Sequence, residues 1–257
     1  MQIHATAIVS PHAQIGAGCQ VGPYAVIGDE VVLGEGVRIH GHCVIDGRTR
    51  IGAETHIFPF VSIGLPPQDL KFAGETSETE IGRRNRIREF VTIHRGTSGG
   101  GGITKTGDDC FIMAQAHVAH DCLIGNQVIM ANAATLAGHV VVEDGANIGA
   151  YSGVHQFCRV GREAYVGGYS VVVKDALPFA LTVGNHAKCY GLNKVGVRRR
   201  GYSRATIAAL HHAFHLLLSS KLNTTQALDR IREEIKDSEE VNQLVQFVES
   251  STRGVVK

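Results

Sequence analysis

A chain of 257 residues has room for one large domain or two modest ones. Its formal net charge of +1 excludes a global field that would draw it to nucleic acid or to a membrane surface, so any basic site must be local. With 31 glycines, no tryptophan and only 19% charged residues, the composition suits a turn-rich β protein and not a helical bundle.

The opening stretch, MQIHATAIVSPHAQIG, has neither the basic n-region nor the apolar h-region of a secretory signal, and no apolar run in the chain approaches membrane-spanning length. The cysteines are scattered without CxxC spacing, which argues against a disulfide framework or a zinc knuckle. These features point to a reducing cytoplasm.

From Ile3 an aliphatic residue recurs at every sixth position: Val9, Ile15, Val21, Ile27, Leu33, Ile39, Ile45, Ile51, Ile57 and Ile63. The phase returns at Ile81, Ile87 and Ile93 and resumes, one residue out of step, from Ile112 through Val172. Neither helical periodicity nor simple strand alternation explains a period of six. Glycine often follows the aliphatic position, as at Gly16, Gly22, Gly52, Gly82 and Gly149, and reads as a corner where positive φ carries no steric penalty. Two residues before it stands a small or β-branched residue, among them Cys19, Cys43, Cys110, Cys122 and Cys158, which are therefore expected as buried wall residues. A short strand and a corner per hexad give a flat face. Three faces are the fewest that close a tube, so one coil is expected to take three hexads.

Two stretches interrupt the hexads. Residues 64–80 carry Pro66-Pro67 and many polar groups, and residues 94–105 (HRGTSGGGGITK) are glycine-rich. Insertions in a solenoid fall on one flank, often the functional one. The glycine run lacks the Gly-Lys-Ser/Thr ending of a phosphate-binding P-loop, and the expectation here is a flexible linker or lid.

After Pro178 the hexads stop. From Ser203 apolar residues take helical spacing (Ile207, Leu210, Phe214, Leu217). A second helix is expected from Asn223, with Gln226 in capping-box position, and a third from Asp237, with Glu240 three residues on. The predicted organisation is a β solenoid over residues 1–187 and a small helical domain over 188–257.

Residues one coil apart stack. His120, Gly138 and Gln156 then form one column, Asp121, His139 and Phe157 the next, and Ala119, Ala137 and His155 a third, with His117 a short step away. A histidine suits general-base work near neutral pH, a neighbouring carboxylate fixes its tautomer, and a backbone N–H unobstructed by a side chain, as at Gly138, suits a developing oxyanion.

The hexad resembles the hexapeptide-repeat transferases, which form a left-handed parallel β-helix; the handedness is implied by that resemblance alone. The strings RNRIRE (84–89), TIHRGT (92–97), HVAHDC (117–122), TLAGHV (135–140), VHQF (154–157), GNHA (184–187) and STRG (251–254) are similar to those of the UDP-N-acetylglucosamine O-acyltransferases, along the entire chain. The resemblance implies transfer of a 3-hydroxyacyl group from acyl carrier protein to the 3-hydroxyl of UDP-N-acetylglucosamine, the first step of lipid A synthesis, by a homotrimer with clefts between neighbours and no metal or other cofactor. It implies His120 as general base, Asp121 as its orienting partner and the Gly138 N–H as an oxyanion donor. It places His117, His139, His155 and Gln156 along the substrate cleft, and Gln68, Asp69 and Lys71 against sugar nucleotide and acyl chain. Asn193, Arg199 and Arg200 would receive the nucleotide and its phosphates, and Gly168 would end an acyl-chain ruler. His117 in HVAHDC is the form seen in members that acylate a hydroxyl. One departure is Val195, where the family often has an acidic residue. The basic run Arg198-Arg199-Arg200, with Lys194 and Arg204, also suits an acidic carrier protein. The competing readings are a related sugar N-acyl- or acetyltransferase, a γ-class carbonic anhydrase with His117, His120 and His139 on a metal, and a solenoid without activity.

Overall fold

The computed structural model describes residues 1–257. The hexads fold as expected into a left-handed parallel β-helix of three sheets, with 11, 9 and 8 strands. The first face begins with Gln2–Ile3, the second with Ile8–Val9 and the third with Gln14–Ile15. Each strand pairs in parallel with the residues one coil on: Gln20 with Arg38, Val26 with Val44, Val32 with Arg50.

In most coils a strand is two residues long, with the first side chain outward and the second, the repeat position, inward. The inward residues and the small residues two before them make one continuous core that contains no aromatic side chain. A narrow triangular tube has room for Ile, Val and Leu, and the solenoid's rings stand outside it, at the edges or on the outer side of strands, as Phe111 and Tyr165 do. Five cysteines lie in the wall. The thiols of Cys19, Cys43, Cys110 and Cys122 donate to carbonyls of the next coil at 3.0–3.2 Å, as does the Ser152 hydroxyl at 2.7 Å. Burial pushes the Cys43 and Cys110 thiols up to about 11 and Cys122 to about 12, so they are inert at neutral pH.

The corner glycines correct the expectation of positive φ. Gly52 itself is not left-handed; a Cβ there would stand 2.6 Å from the Gly82 carbonyl carbon of the next coil. Positive φ falls two residues later, at Glu54 (60°), and at the equivalent Tyr24 and His42. Glycine follows the repeat position because coils touch there, backbone to backbone.

Both insertions leave from the edge between the second and third faces, in consecutive coils. Ser62–Leu65 lies on the second face and Glu78–Ile81 on the third; Thr92–His94 and Ile103–Thr106 repeat that arrangement. Register survives them, since Ile57 pairs with Ile87 and Ile87 with Ile112.

At its far end the solenoid adds the parallel strand Ala180–Gly184, which turns back into antiparallel Ala187–Leu192. The core divides between Ala176 and Leu177, where a second apolar cluster begins and takes in the helices. A short helix, α1 (Lys194–Arg199), was not foreseen, because only Val197 on it is buried and no apolar period marks it. Helix α2 (Arg204–Phe214) starts at the Ser203 cap and α3 (Thr224–Glu234) at the Asn223–Gln226 capping box, as read from sequence. Helix α4 (Glu239–Glu249) starts one residue later than expected. Its cap is Ser238, which accepts from the Val241 N–H, while Asp237 turns the chain at φ 60°. The tail returns to the solenoid: the Asp175 N–H donates to Gly254 O at 2.9 Å and the Val256 N–H to Asp175 O at 2.8 Å.

The close approach of coils predicts that Gly52→Ala destabilises the fold by about 1–3 kcal/mol, the usual range for overpacking against atoms that cannot move aside. Urea unfolding measures it, and an unchanged midpoint would show that the coils separate more easily than their contact implies.

Candidate active site

His117 opens the two-residue strand His117–Val118 on the second face, and His120 and Asp121 form the corner that follows it. The corner puts Asp121 in the left-handed region (φ 58°), and His139 and Phe157 repeat that conformation one and two coils on (62° and 63°). Left-handed backbone costs roughly 1–2 kcal/mol in a residue other than glycine. Here it is fixed by the coil above, with the His139 N–H donating to His120 O at 3.0 Å and the Phe157 N–H to Gly138 O at 3.2 Å.

His120 Nδ1 lies 2.8 Å from Asp121 Oδ2. The Asp121 side chain is 0% exposed and that of His120 15%. An ionised carboxylate only accepts, so Nδ1 carries the proton and Nε2 is left unprotonated as an acceptor. Gly138 lies directly on the ring. A Cβ there would sit 2.6 Å from Cε1 and 2.7 Å from Nε2, so any side chain at 138 would displace the imidazole. The Gly138 N–H has no partner within the chain.

Further imidazoles surround the pair. His139 meets His120 edge-on at 5.0 Å, stacks on Phe157 at 4.3 Å, and brings its Nδ1 to 3.8 Å from Asp121 Oδ2. His117 Nδ1 lies 2.6 Å from Thr92 Oγ1, and the ring meets His94 edge-on at 5.1 Å. Burial holds His117 and His139 below the ordinary histidine range; the neighbouring His120 imidazole adds to this at both, and the Asp121 carboxylate opposes it at His139. Burial pushes His94 furthest, to about 4, with His117 and His120 adding to it. These rings are neutral hydrogen-bonding groups at physiological pH.

The donor atoms of His120, Asp121 and His139 all lie within 4.8 Å of one another. That group holds two imidazoles and a carboxylate, not the three imidazoles of the carbonic anhydrase reading; His117 is turned to Thr92 instead.

Residues 175–256 match the family described as UDP-N-acetylglucosamine O-acyltransferase, domain 2, and residues 12–47 and 103–138 match the bacterial transferase hexapeptide (six repeats). An acyl-[acyl-carrier-protein]–UDP-N-acetylglucosamine O-acyltransferase from Thermodesulfovibrio yellowstonii is 49% identical over 256 residues, covering 100% of this chain and 99% of the relative. The chain belongs to the UDP-N-acetylglucosamine O-acyltransferase family. Among solved members, the Moraxella catarrhalis enzyme is 42% identical with a TM-score of 0.97 and 100% of both chains covered. The Arabidopsis enzyme is 34% identical with a TM-score of 0.86, covering 99% of this chain and 100% of that one.

The fold brings some of the expected acyltransferase residues together and separates others. His117, His120, Asp121, Gly138 and His139 converge. His155 and Gln156 continue the same edge, exposed, with His155 Nδ1 3.4 Å from an Arg253 nitrogen. The first insertion arches from this edge too. Asp69 Oδ1 accepts the Lys71 N–H at 3.0 Å, its charge reaches His139, and Gln68 and Lys71 are exposed. Asn193, Arg199 and Arg200 stand elsewhere. Asn193 caps α1, and Arg200 pairs with Glu163 at 3.0 Å and donates to Gln127 Oε1 at 2.8 Å, at the edge between the third and first faces. Gly168 occupies the remaining edge. The glycine-rich insertion, expected as a flexible linker or lid, is fastened onto Asp121 through Thr97; no sequence period marks Thr97, His94, Gly100 or Thr104 as site residues. TIHRGT contained two of them, but the hexad breaks at that point and no period indicates which side chains turn inward.

Because the unfolded chain takes up a proton near ~6.5 and folded His94 does not until about 4, the unfolded state binds more protons across that window. Stability therefore falls as pH drops from 6.5 to 4, by ~3 kcal/mol at most from this group, and is insensitive to it above 6.5. His94→Leu should show a shallower fall than the parent in denaturant midpoints over that range; equal slopes would count against a neutral buried His94.

Proposed function

We propose that the protein transfers a 3-hydroxyacyl group from acyl carrier protein to the 3-hydroxyl of UDP-N-acetylglucosamine, the first step of lipid A synthesis, with His120 as general base. The observation that carries this is the His120–Asp121 pair with Gly138 seated on the imidazole ring. Nε2 takes the proton of the sugar hydroxyl as its oxygen attacks the thioester carbonyl. The C–O bond forms and the charge on the carbonyl oxygen is met by the Gly138 N–H. Collapse breaks the C–S bond, and the imidazolium returns its proton to the leaving thiolate. Asp121 holds the Nδ1–H throughout and stabilises the transient cation.

Asn193, Arg199 and Arg200 lie on another edge of the prism from His120, which supports a site completed by a neighbouring copy in a trimer, where one chain's edge meets the next chain's. A cleft beside α1 and α2 is lined by Lys194, Arg198 and Arg204 together with His211, His212 and His215, and suits an acidic carrier protein. The family's donor and acceptor, the reduced wall cysteines and the absence of any helix long and apolar enough to cross a membrane all suit a reaction in the cytoplasm.

Gly168 fits the end of an acyl groove. Hydrogen bonds climb its edge from Ala114 through Ala133, Tyr151 and Tyr169, which sets it three coils, ~14 Å, beyond the coil of His117. Its φ is not left-handed, and a Cβ there would meet the Ala150 backbone, with O at 3.3 Å and N at 3.9 Å, a tight but not prohibitive contact. An exposed position without a side chain on this edge supports a ruler, and a 3-hydroxytetradecanoyl-like donor over a 3-hydroxydecanoyl-like one.

His120→Ala should lower turnover by about 10^2–10^4-fold in a transfer assay with UDP-N-acetylglucosamine and hydroxyacyl carrier protein, with the fold intact; Asp121→Asn should cost less. Near-normal turnover in His120→Ala would sink the assignment. Gly168→Met should shift preference toward shorter donors at roughly 0.8 kcal/mol per methylene excluded. If the parent already prefers the ten-carbon donor, the groove is closed elsewhere, at Tyr165 or Tyr169.

A further inference from the structure

Asp121 accepts three hydrogen bonds, and only one comes from His120. The other two come from Thr97: its N–H donates to Oδ1 at 2.8 Å and its hydroxyl to Oδ2 at 2.6 Å. The Asp121 N–H in turn donates to Thr104 Oγ1 at 2.8 Å. Thr97 stands where the glycine-rich insertion leaves the solenoid and Thr104 where it returns, so both ends of the loop grip one residue. Between them, a Cβ on Gly100 would lie 2.0 Å from the Asp121 Cγ and within 2.5 Å of both carboxylate oxygens. Only glycine lets the loop close over the charge.

The loop is itself anchored. The Gly100 and Gly102 N–H groups donate to Thr97 O at 3.1 and 2.8 Å, the Glu78 N–H donates to Gly102 O at 2.8 Å, and the Gly96 N–H to Glu78 O at 3.2 Å. Its outer turn is tied to the first insertion, with the Ser98 N–H and hydroxyl each 3.2 Å from Glu75 Oε1.

We infer that Thr97 is a positioning residue for acyl transfer, acting through Asp121 on His120, and that the glycine-rich insertion is built as a clamp on that carboxylate. Two donors from one residue fix both the plane and the rotation of the carboxylate. A buried carboxylate without them would be free to turn toward His139, whose Nδ1 lies 3.8 Å from Oδ2, and release the His120 Nδ1–H. Thr97 does not touch the ring, so its effect must travel through Asp121.

The inference rests on the His120–Asp121 pair as the proton-transfer machinery. It is tested with Thr97→Val, which keeps shape and the backbone N–H but removes the hydroxyl, with Thr97→Ser, and with Thr97→Val combined with Asp121→Asn. Thr97→Val should lower kcat by about 10- to 100-fold, the usual effect of disturbing a group that orients an active residue. The Kd for UDP-N-acetylglucosamine should stay at the parent value, the thermal midpoint should fall by no more than the loss of one buried hydrogen bond and remain well above the assay temperature, and Thr97→Ser should restore turnover. In the Asp121→Asn background Thr97→Val should cost nothing further, because the group it orients is already lost. An undiminished penalty in that background, a loss explained by a lower thermal midpoint, or failure of serine to rescue would overturn the clamp. A harmless Asp121→Asn would instead overturn the underlying pair, so the two failures are distinguishable.

Discussion

The structure depends on one geometric constraint: each coil must return to the same place after three flat faces, with nothing larger than an aliphatic side chain inside. Everything else follows from stacking. Parallel pairing at a spacing of about 4.8 Å turns sequence spacing into position, so residues one coil apart become neighbours on the outside of the prism. The inward half of each strand is spoken for by the core, and the outward half and the edges are where chemistry can be placed. The absence of aromatic side chains from the tube is a corollary, since it has no room of that size.

The edge between the second and third faces is where this freedom is used most heavily. Its corners carry Asp121, His139 and Phe157 in left-handed backbone, where glycine would be the easier choice. Hydrogen bonds between coils hold these residues, and their side chains stand in a stack: a carboxylate, an imidazole and a phenyl ring at successive levels. Gly138 does the reverse, giving up a side chain so that His120 can lie flat against the next coil. Rigid backbone on every side lets the imidazole keep one orientation without help from substrate.

Much of this could be read in advance. The spacing of Ile, Val and Leu specified the faces, the coil length and the columns, and the columns placed His120, Asp121, Gly138 and His139 together. Ser203 and the Asn223–Gln226 pair marked two helix starts through local capping chemistry. What could not be read was whatever departs from the period. Thr97, Gly100 and Thr104 lie in an insertion whose path is set by contacts with residues far along the chain, and nothing local to HRGTSGGGG shows that it folds onto a carboxylate. The glycines after the repeat position were read as turns when they are contact points, because close approach between coils and positive φ select the same residue type. Helix α1 was missed because a six-residue helix held by a single buried valine leaves no periodic trace.

The two insertions have different lengths, yet the strands on either side of each remain in phase with their neighbours. A loop that leaves and re-enters at a corner adds residues without rotating the coil above it, so chain length at this edge is decoupled from the lattice. The solenoid therefore separates two kinds of change. A single residue gained or lost within a face would throw every later column out of alignment, whereas the outer turns that overhang the cleft, beyond the residues fastened to Asp121, can lengthen, shorten or be exchanged independently. Selectivity can drift at this edge while the base and its partner stay where the lattice put them.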